Sequence, residues 1–422
     1  MSTVEPPPAD VDIVDTAAAG PAAIRGGILR TASFVLGLLI GLASAPLVVR
    51  HLGDVEFGRY TSALVVVAIV AGLTDAGVST IALRELSATR DPAARDRLMG
   101  ELLGLRLVLS IAGVGLAVAF AAVAGYAAGL VLGILLAGVG MVLGLLQSLY
   151  ATVLHSRLRF GWAALIDLAR SVVGVGLIVV VVLTGGGVVE LLATSIPAAL
   201  VTLAITLWLV RDMVALRPAF AVRRWLPLVR ETLVFAVAVA VNTLYFRVTL
   251  VAMTLVATGL QTGYFAISYR IMEVLVGIPL LLIGAAFPII SRSARGDRER
   301  FEYATGRIFE LAVFLGGLMA LGLLLSAPFA IEVLTGRADH PSVPVLQIQS
   351  AAIAASFVAA GVGYALLSMR RHREVLIANC VPLVLAVALV LVLAPEIGAR
   401  GAAVAAVVAD VALAVASTAL LM

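Results

Sequence analysis

The chain has 422 residues, 62% of them hydrophobic and only 13% charged, with a mean hydropathy of +1.14 and a formal charge of +4. A soluble domain of this length needs far more polar surface to cover its core, so a single globular enzyme is excluded and a polytopic membrane protein is implied. All 29 basic residues are Arg, which leaves no Lys for a phosphate-binding loop or a Schiff base.

The first segment, Met1 to Ala23, carries Pro6, Pro7, Pro8 and four acids but no basic residue. It buries too little apolar surface to order itself and lacks the basic start of a signal peptide, so it reads as a disordered cytoplasmic tail. Apolar runs long enough to cross a hydrocarbon core of about 30 Å then follow one another. The first six are Thr31 to Val49, Tyr60 to Leu83, Leu102 to Val123, Ala128 to Tyr150, Phe160 to Leu183 and Val188 to Val210. The second six are Leu233 to Leu255, Tyr264 to Ile290, Ile308 to Ala330, Val345 to Met369, Val375 to Leu393 and Gly401 to Leu421. The expected fold is therefore an all-α polytopic membrane protein of about 12 transmembrane helices, as two six-helix halves, residues 24–216 and 217–422.

Orientation follows from the Arg, because cytoplasmic loops retain basic residues. With the N-terminus inside, 23 of the 29 Arg fall on the cytoplasmic side, four (Arg50, Arg59, Arg337, Arg400) fall outside, and Arg247 and Arg270 fall within spans. Both termini are then cytoplasmic, in the inner cell membrane. The cytoplasmic Arg serve as topology signals and also suit anionic lipid headgroups. No external connection is long enough to fold as a domain, which disfavours a membrane glycan polymerase whose chemistry sits on a large external loop. The single cysteine, Cys380, lies in an apolar run, and the four His are scattered with no two at i, i+3 or i+4. No metal site and no cofactor is expected, and the chain is read as a non-enzyme.

The halves carry a weak internal echo. Leu52-Gly53-Asp54-Val55-Glu56-Phe57-Gly58-Arg59-Tyr60 forms the first external turn of one half, and Thr258-Gly259-Leu260-Gln261-Thr262-Gly263-Tyr264 that of the other. In each, a Gly-containing turn leads to Gly and Tyr at a helix start, as duplicated transporter halves do. His51-Leu52-Gly53 through Tyr60, Asp75-Ala76-Gly77 and Arg84-Glu85 resemble the opening of the Wzx-type polysaccharide flippases, a branch of the multidrug/oligosaccharidyl-lipid/polysaccharide exporter superfamily. The second half agrees in Gly263-Tyr264-Phe265-Ala266, Tyr269-Arg270-Ile271, Ile278-Pro279, Phe287-Pro288 and Ser291, and Gly398-Ala399-Arg400-Gly401-Ala402-Ala403 resembles the family's entry to a late helix.

The resemblance covers nearly the whole chain after Ile24. It implies two bundles around a central cavity that moves a polyprenyl-pyrophosphate-linked oligosaccharide to the outer leaflet, with a glycan polymerase and glycosyltransferases as pathway partners. One departure stands out: many relatives place an acid two residues after the Arg of the seventh span, where this chain has Thr249, which cannot ionise.

Charges inside a membrane cost about 2.5 to 3.5 kcal/mol even on lenient insertion scales, so they face a cavity or one another. The short list is Arg247, Arg270, Glu273, Asp75, Glu310 and Asp410. Spans seven and eight turn near Leu260, and Arg247 and Glu273 each lie 13 residues from it, which puts them at one depth. Glu273 either neutralises Arg247 or Arg270 as a structural pair, or positions a surplus guanidinium for bidentate grip on the pyrophosphate. Asn242 and Tyr245, within a turn of Arg247, are candidates for hydrogen bonds to sugar or phosphate. Arg30, at the mouth of the first span, is either a first contact for the anionic substrate or a topology anchor. Asp75 is either an acceptor between helices or an ion-coupling site. Pro279 and Pro288 interrupt the eighth span, as a passive kink or a hinge.

The expected function is flipping of that glycolipid by alternating access, driven by an ion gradient or the membrane potential. Competing readings are a cation-coupled drug antiporter, whose cavity should be rich in acids and aromatics, and a lipid II flippase, which usually has two further helices.

Overall fold

The computed structural model describes residues 19–75, 77–89, 91–157, 159–214, 217–220, 222–284, 298–369 and 371–421. Among these the chain is helix joined by short turns, because lipid leaves no partner for a free backbone N–H or C=O and a helix satisfies both within itself. The helices are α1 (Ala19–Asp75), α2 (Val78–Ala88), α3 (Pro92–Val123), α4 (Ala128–Ser156), α5 (Phe160–Leu183), α6 (Val188–Ala193) and α7 (Ser195–Val210). They continue as α8 (Val222–Val256), α9 (Gly259–Leu275), α10 (Gly277–Gly284), α11 (Arg298–Thr335), α12 (Ser342–Ser368) and α13 (His372–Leu421).

The expected all-α polytopic fold is what the structure has. Two of the helices are each a pair run together: α1 breaks at Gly53 (φ 71°) and α13 at Gly398 (φ 63°), in the left-handed region where a side chain is strained. Counting each as two legs, and joining α2, α6 and α10 to the helices they adjoin, gives twelve legs among the described residues. The shorter breaks have local causes. Pro279 has no N–H to give the Leu275 carbonyl, and the ladder stops at Val276 and restarts in α10, where Pro279 occupies the first turn. Pro197 stands in the same relation to Ala193 at the α6–α7 break. Pro288 lies outside the described residues, as do residues 1–18 of the N-terminal tail; residues 19–23 of that tail belong to α1.

The chain divides into two compact units. The first comprises residues 1–44, 74–122 and 131–233, the second residues 45–73, 123–130 and 234–422. The interior of the first is an apolar cluster that includes Leu86, Met99, Leu102, Leu149, Leu154 and Trp225. The 217–220 segment lies against α3 there: the Ala219 N–H donates to the Gly100 carbonyl at 2.8 Å, and a Cβ on Gly104 would fall 2.2 Å from the Ala219 carbonyl oxygen.

In the second unit, residues of α1 pack tightly on α9 and on the 336–341 turn. A Cβ on Gly58 would lie 2.8 Å from the Gly263 nitrogen, and one on Gly263 only 2.0 Å from the Asp54 carbonyl oxygen. The two glycines of the sequence echo therefore serve one close contact, and each is Gly because backbone occupies the space of its side chain. Around them, buried His340 receives the Ser342 N–H on Nδ1 at 3.1 Å, which leaves Nε2 to donate to Asp54 at 2.9 Å. The Ser342 hydroxyl donates to the Tyr264 carbonyl, and Arg50 donates to the Val333 carbonyl. The His340 bond ties the turn after α1's first leg to the start of α12, while the other two tie α12 to α9 and α1 to α11.

Candidate functional site

The second unit holds a cavity of about 330 Å³, within the range of small-molecule sites. Five helices line it. From α8 come Asn242, Tyr245, Arg247 and Thr249; α9 supplies Tyr269 and Glu273, α10 begins at its edge with Gly277, α12 adds Gln349, and α13 adds Asp410.

At its edge is a three-member ion cluster, of which Arg247 and Glu273 line the cavity and Arg270 stands behind Glu273, outside the lining. Arg247 Nη1 stands 3.3 Å from Glu273 Oε1, and Arg270 Nη1 donates to Glu273 Oε2 at 2.9 Å. One carboxylate thus serves two guanidiniums, each oxygen facing a different Arg. The Arg247–Glu273 pairing fits the equal residue count from the α8–α9 turn, and the Arg270–Glu273 pairing is the i, i+3 neighbour relation on α9. All three side chains remain about a third exposed, at 28%, 34% and 32% for Arg247, Arg270 and Glu273. A guanidinium carries five N–H donors, so both Arg keep donors beyond those Glu273 uses. Such spare, planar donors beside a cavity match the geometry of a phosphate.

Two further polar contacts shape the cavity. The Tyr245 hydroxyl donates to an Asp410 carboxylate oxygen, and the Asn242 side-chain amide donates to Asn379 Oδ1 at 3.2 Å. Tyr245 is therefore occupied by a second acid, which sequence reading noted within the last span but did not place in the site. Its signal was present, since a lone carboxylate in an apolar helix needs a partner, but no local spacing links position 410 to position 245. Asp410 and Asn242 also line a neighbouring cavity of about 220 Å³, together with Asn379, Tyr364 and Ser417. Thr249 is buried at the cavity wall, and the acid that lines this cavity besides Glu273 is Asp410 on α13.

Asp75 and Arg30 are not at this cavity. Asp75 ends α1 in the first unit and faces Arg106, whose guanidinium donates to the Asp75 carboxylate, to Ser79 Oγ at 3.0 Å and to the Leu145 carbonyl at 3.4 Å. Arg106 is fully buried and each of its nitrogens has an acceptor. Topology counting placed Arg106 with the cytoplasmic loops, whereas it lies within α3 and pins the α1–α2 break beside Gly77. Arg170, counted likewise, lies within α5 and donates to Gln147 Oε1 at 2.6 Å. Arg30 falls in α1, and its side chain lies outside the described residues.

Residues 23–294 match a family model described as "Polysaccharide biosynthesis protein". No curated protein matches the chain in sequence. Among solved structures, the fold is similar to "Lipid II flippase MurJ, inward closed conformation", with a TM-score of 0.77, 14% identity, and 92% of this chain and 86% of that one covered. It is also similar to an inward-facing multidrug resistance MATE family transporter of the MOP superfamily, with a TM-score of 0.70, 16% identity, and coverage of 93% and 98%. A third is a MOP superfamily transporter from Pyrococcus furiosus described as having a binding pocket of reverse polarity, with a TM-score of 0.64, 17% identity, and coverage of 94% and 93%.

Proposed function

Since the chain belongs to the polysaccharide biosynthesis protein family, a family of membrane transport and flipping, we propose that its substrate is a polyprenyl-pyrophosphate-linked oligosaccharide carried to the outer leaflet of the cytoplasmic membrane. The observation that carries this reading is the sharing of Glu273 by Arg247 and Arg270 at the edge of a cavity. Two cations against one anion leave a net positive cluster, and a pyrophosphate is the anionic part of such a glycolipid. Arg247 and Arg270 grip the phosphates by their free N–H edges. Glu273 orients both and, by competing for the same donors, keeps the grip weak enough for release. Asn242 offers a further polar contact beside the cluster. Transport is alternating exposure of this site to the two faces of the membrane. Arg106 and Asp75 are read as structural, because that guanidinium is fully buried and each of its nitrogens already has an acceptor. Arg30 remains a candidate first contact at the cytoplasmic mouth.

A second reading is favoured by one observation. Asp410 and the rings of Tyr245, Phe265 and Tyr269 line the same cavity, and acids with aromatics suit an organic cation. A cation-coupled drug antiporter would use Asp410, not the Arg pair.

The deciding experiment uses purified protein in vesicles loaded with a labelled polyprenyl-pyrophosphate oligosaccharide, with a membrane-impermeant enzyme reading the outer leaflet. Transfer well above protein-free vesicles, lost in the Arg247→Ala protein, is expected. Transfer no faster than in empty vesicles, together with proton-dependent extrusion of an organic cation, would overturn the flippase reading in favour of the second.

A further inference from the structure

Among the described residues of the cavity wall, Gln349 is the one with a buried side-chain polar atom that has no hydrogen-bond partner. It lies on α12, is 2% exposed, and its side-chain carbonyl Oε1 has no hydrogen-bond partner among the described residues. A buried amide oxygen without a partner is destabilising, and a Leu or Met of similar size would avoid that cost. A polar atom kept there at a loss in the empty protein is explained if a ligand completes it, and Gln349 lines the cavity that holds Arg247 and Glu273.

Its depth identifies the part of the ligand it meets. Ser342 Oγ is bonded to the Tyr264 carbonyl, so α12 and α9 share a reference level at one end of the unit. Gln349 is seven residues into α12 from Ser342, and Arg270 is six residues along α9 from Tyr264, which places both at roughly 10 Å. Glu273 is three residues further along α9, roughly 4 Å deeper. Gln349 thus stands at the depth of the phosphate-gripping cluster, on a helix that lines the same cavity. As a pure acceptor, a carbonyl oxygen has nothing to offer a phosphate, which is itself all acceptor, and everything to offer a hydroxyl or an amide N–H.

We propose that Gln349 reads the sugar attached directly to the pyrophosphate, its Oε1 accepting a hydrogen bond from a ring hydroxyl or an acetamido N–H of that residue. This deepens the flippase reading and rests on it. The Arg pair gives a grip common to every polyprenyl pyrophosphate, and Gln349 makes the grip depend on what is attached.

The test compares two carriers on the Gln349→Met protein, which keeps the side-chain volume and removes the acceptor. One is a polyprenyl pyrophosphate bearing a single N-acetylhexosamine, assayed for leaflet transfer; the other is the same pyrophosphate without sugar, assayed as an inhibitor of that transfer. Transfer of the glycosylated carrier is expected to fall about 5- to 30-fold, while inhibition by the bare pyrophosphate changes less than twofold. The thermal midpoint of the ligand-free variant should match or exceed that of the wild type, since a partnerless polar atom has been removed. Equal loss for both carriers, no loss for either, or a midpoint several degrees lower would each overturn the proposal, the last by revealing a structural partner. Wild-type protein that transfers no glycosylated carrier would instead overturn the flippase reading itself, and the sugar-reading role with it.

Discussion

Each unit keeps an arginine–carboxylate cluster within its helices, and the two clusters are built oppositely. In the first unit Arg106 is sealed from solvent and spends its donors on Asp75, Ser79 and the Leu145 carbonyl. In the second, Arg247 and Arg270 divide one carboxylate between them and stay about a third exposed beside a cavity. A buried ion pair is tolerated when every donor and acceptor is satisfied, and it then holds helices in register. One left short of acceptors gains most from a ligand that supplies them. The difference lies not in the chemistry, guanidinium against carboxylate in both, but in how many of the guanidinium's N–H groups are already taken.

The largest effect should come from the sealed cluster. Arg106→Ala leaves the Asp75 carboxylate without its cation and opens space beside the α1–α2 break, and about 3–5 kcal/mol of stability should be lost. Thermal unfolding in detergent would read this, and a midpoint shift of less than a few degrees would show the cluster to be dispensable. Gly263→Ala ranks next: its Cβ would meet the Asp54 carbonyl oxygen, a backbone atom unable to swing aside, for a cost of about 2–3 kcal/mol in the same assay.

The open cluster should respond in transport and hardly in stability. Arg247→Ala is expected to slow leaflet transfer about 10- to 100-fold with a thermal midpoint close to wild type, and Arg270→Ala similarly. Full transfer by both at normal expression would remove the phosphate role. Glu273→Gln sharpens the comparison further. With the shared anion gone, substrate should bind several-fold tighter while turnover falls, because the two Arg no longer have a competitor at release. The smallest effect belongs to Tyr245→Phe, which removes one hydrogen bond to Asp410 and should cost about 0.5–1.5 kcal/mol. If it also abolishes cation extrusion while leaving glycolipid transfer intact, Asp410 serves the second reading.

Much of the frame was legible because membrane helices announce themselves one at a time: an apolar run of sufficient length, ended by Gly, Pro or Arg, needs no knowledge of its neighbours. The Arg247–Glu273 pairing was legible for a related reason, since two helices joined by a short turn must place residues equidistant from it side by side. Asp410 was not, because 165 positions separate it from Tyr245 and no periodicity spans that gap. The Arg106 pairing was not legible for another reason: near a helix end, a basic residue that marks topology and one that turns inward to a carboxylate have the same local sequence. The Gly58 and Gly263 echo was visible as repetition, while the contact between the two glycines was not.

The sequence by itself determined that this is an all-helical membrane protein, that its charge lies mostly outside the bilayer, and that two Arg within it need an explanation, all of which follow from the cost of placing polar groups in hydrocarbon. Only the tertiary structure decided which Arg have their donors taken, that Asp410 and Gln349 border the same cavity as Arg247, and that a buried carbonyl there is left waiting. Hydrogen-bond satisfaction depends on atoms brought together from distant parts of the chain, and no local pattern records it.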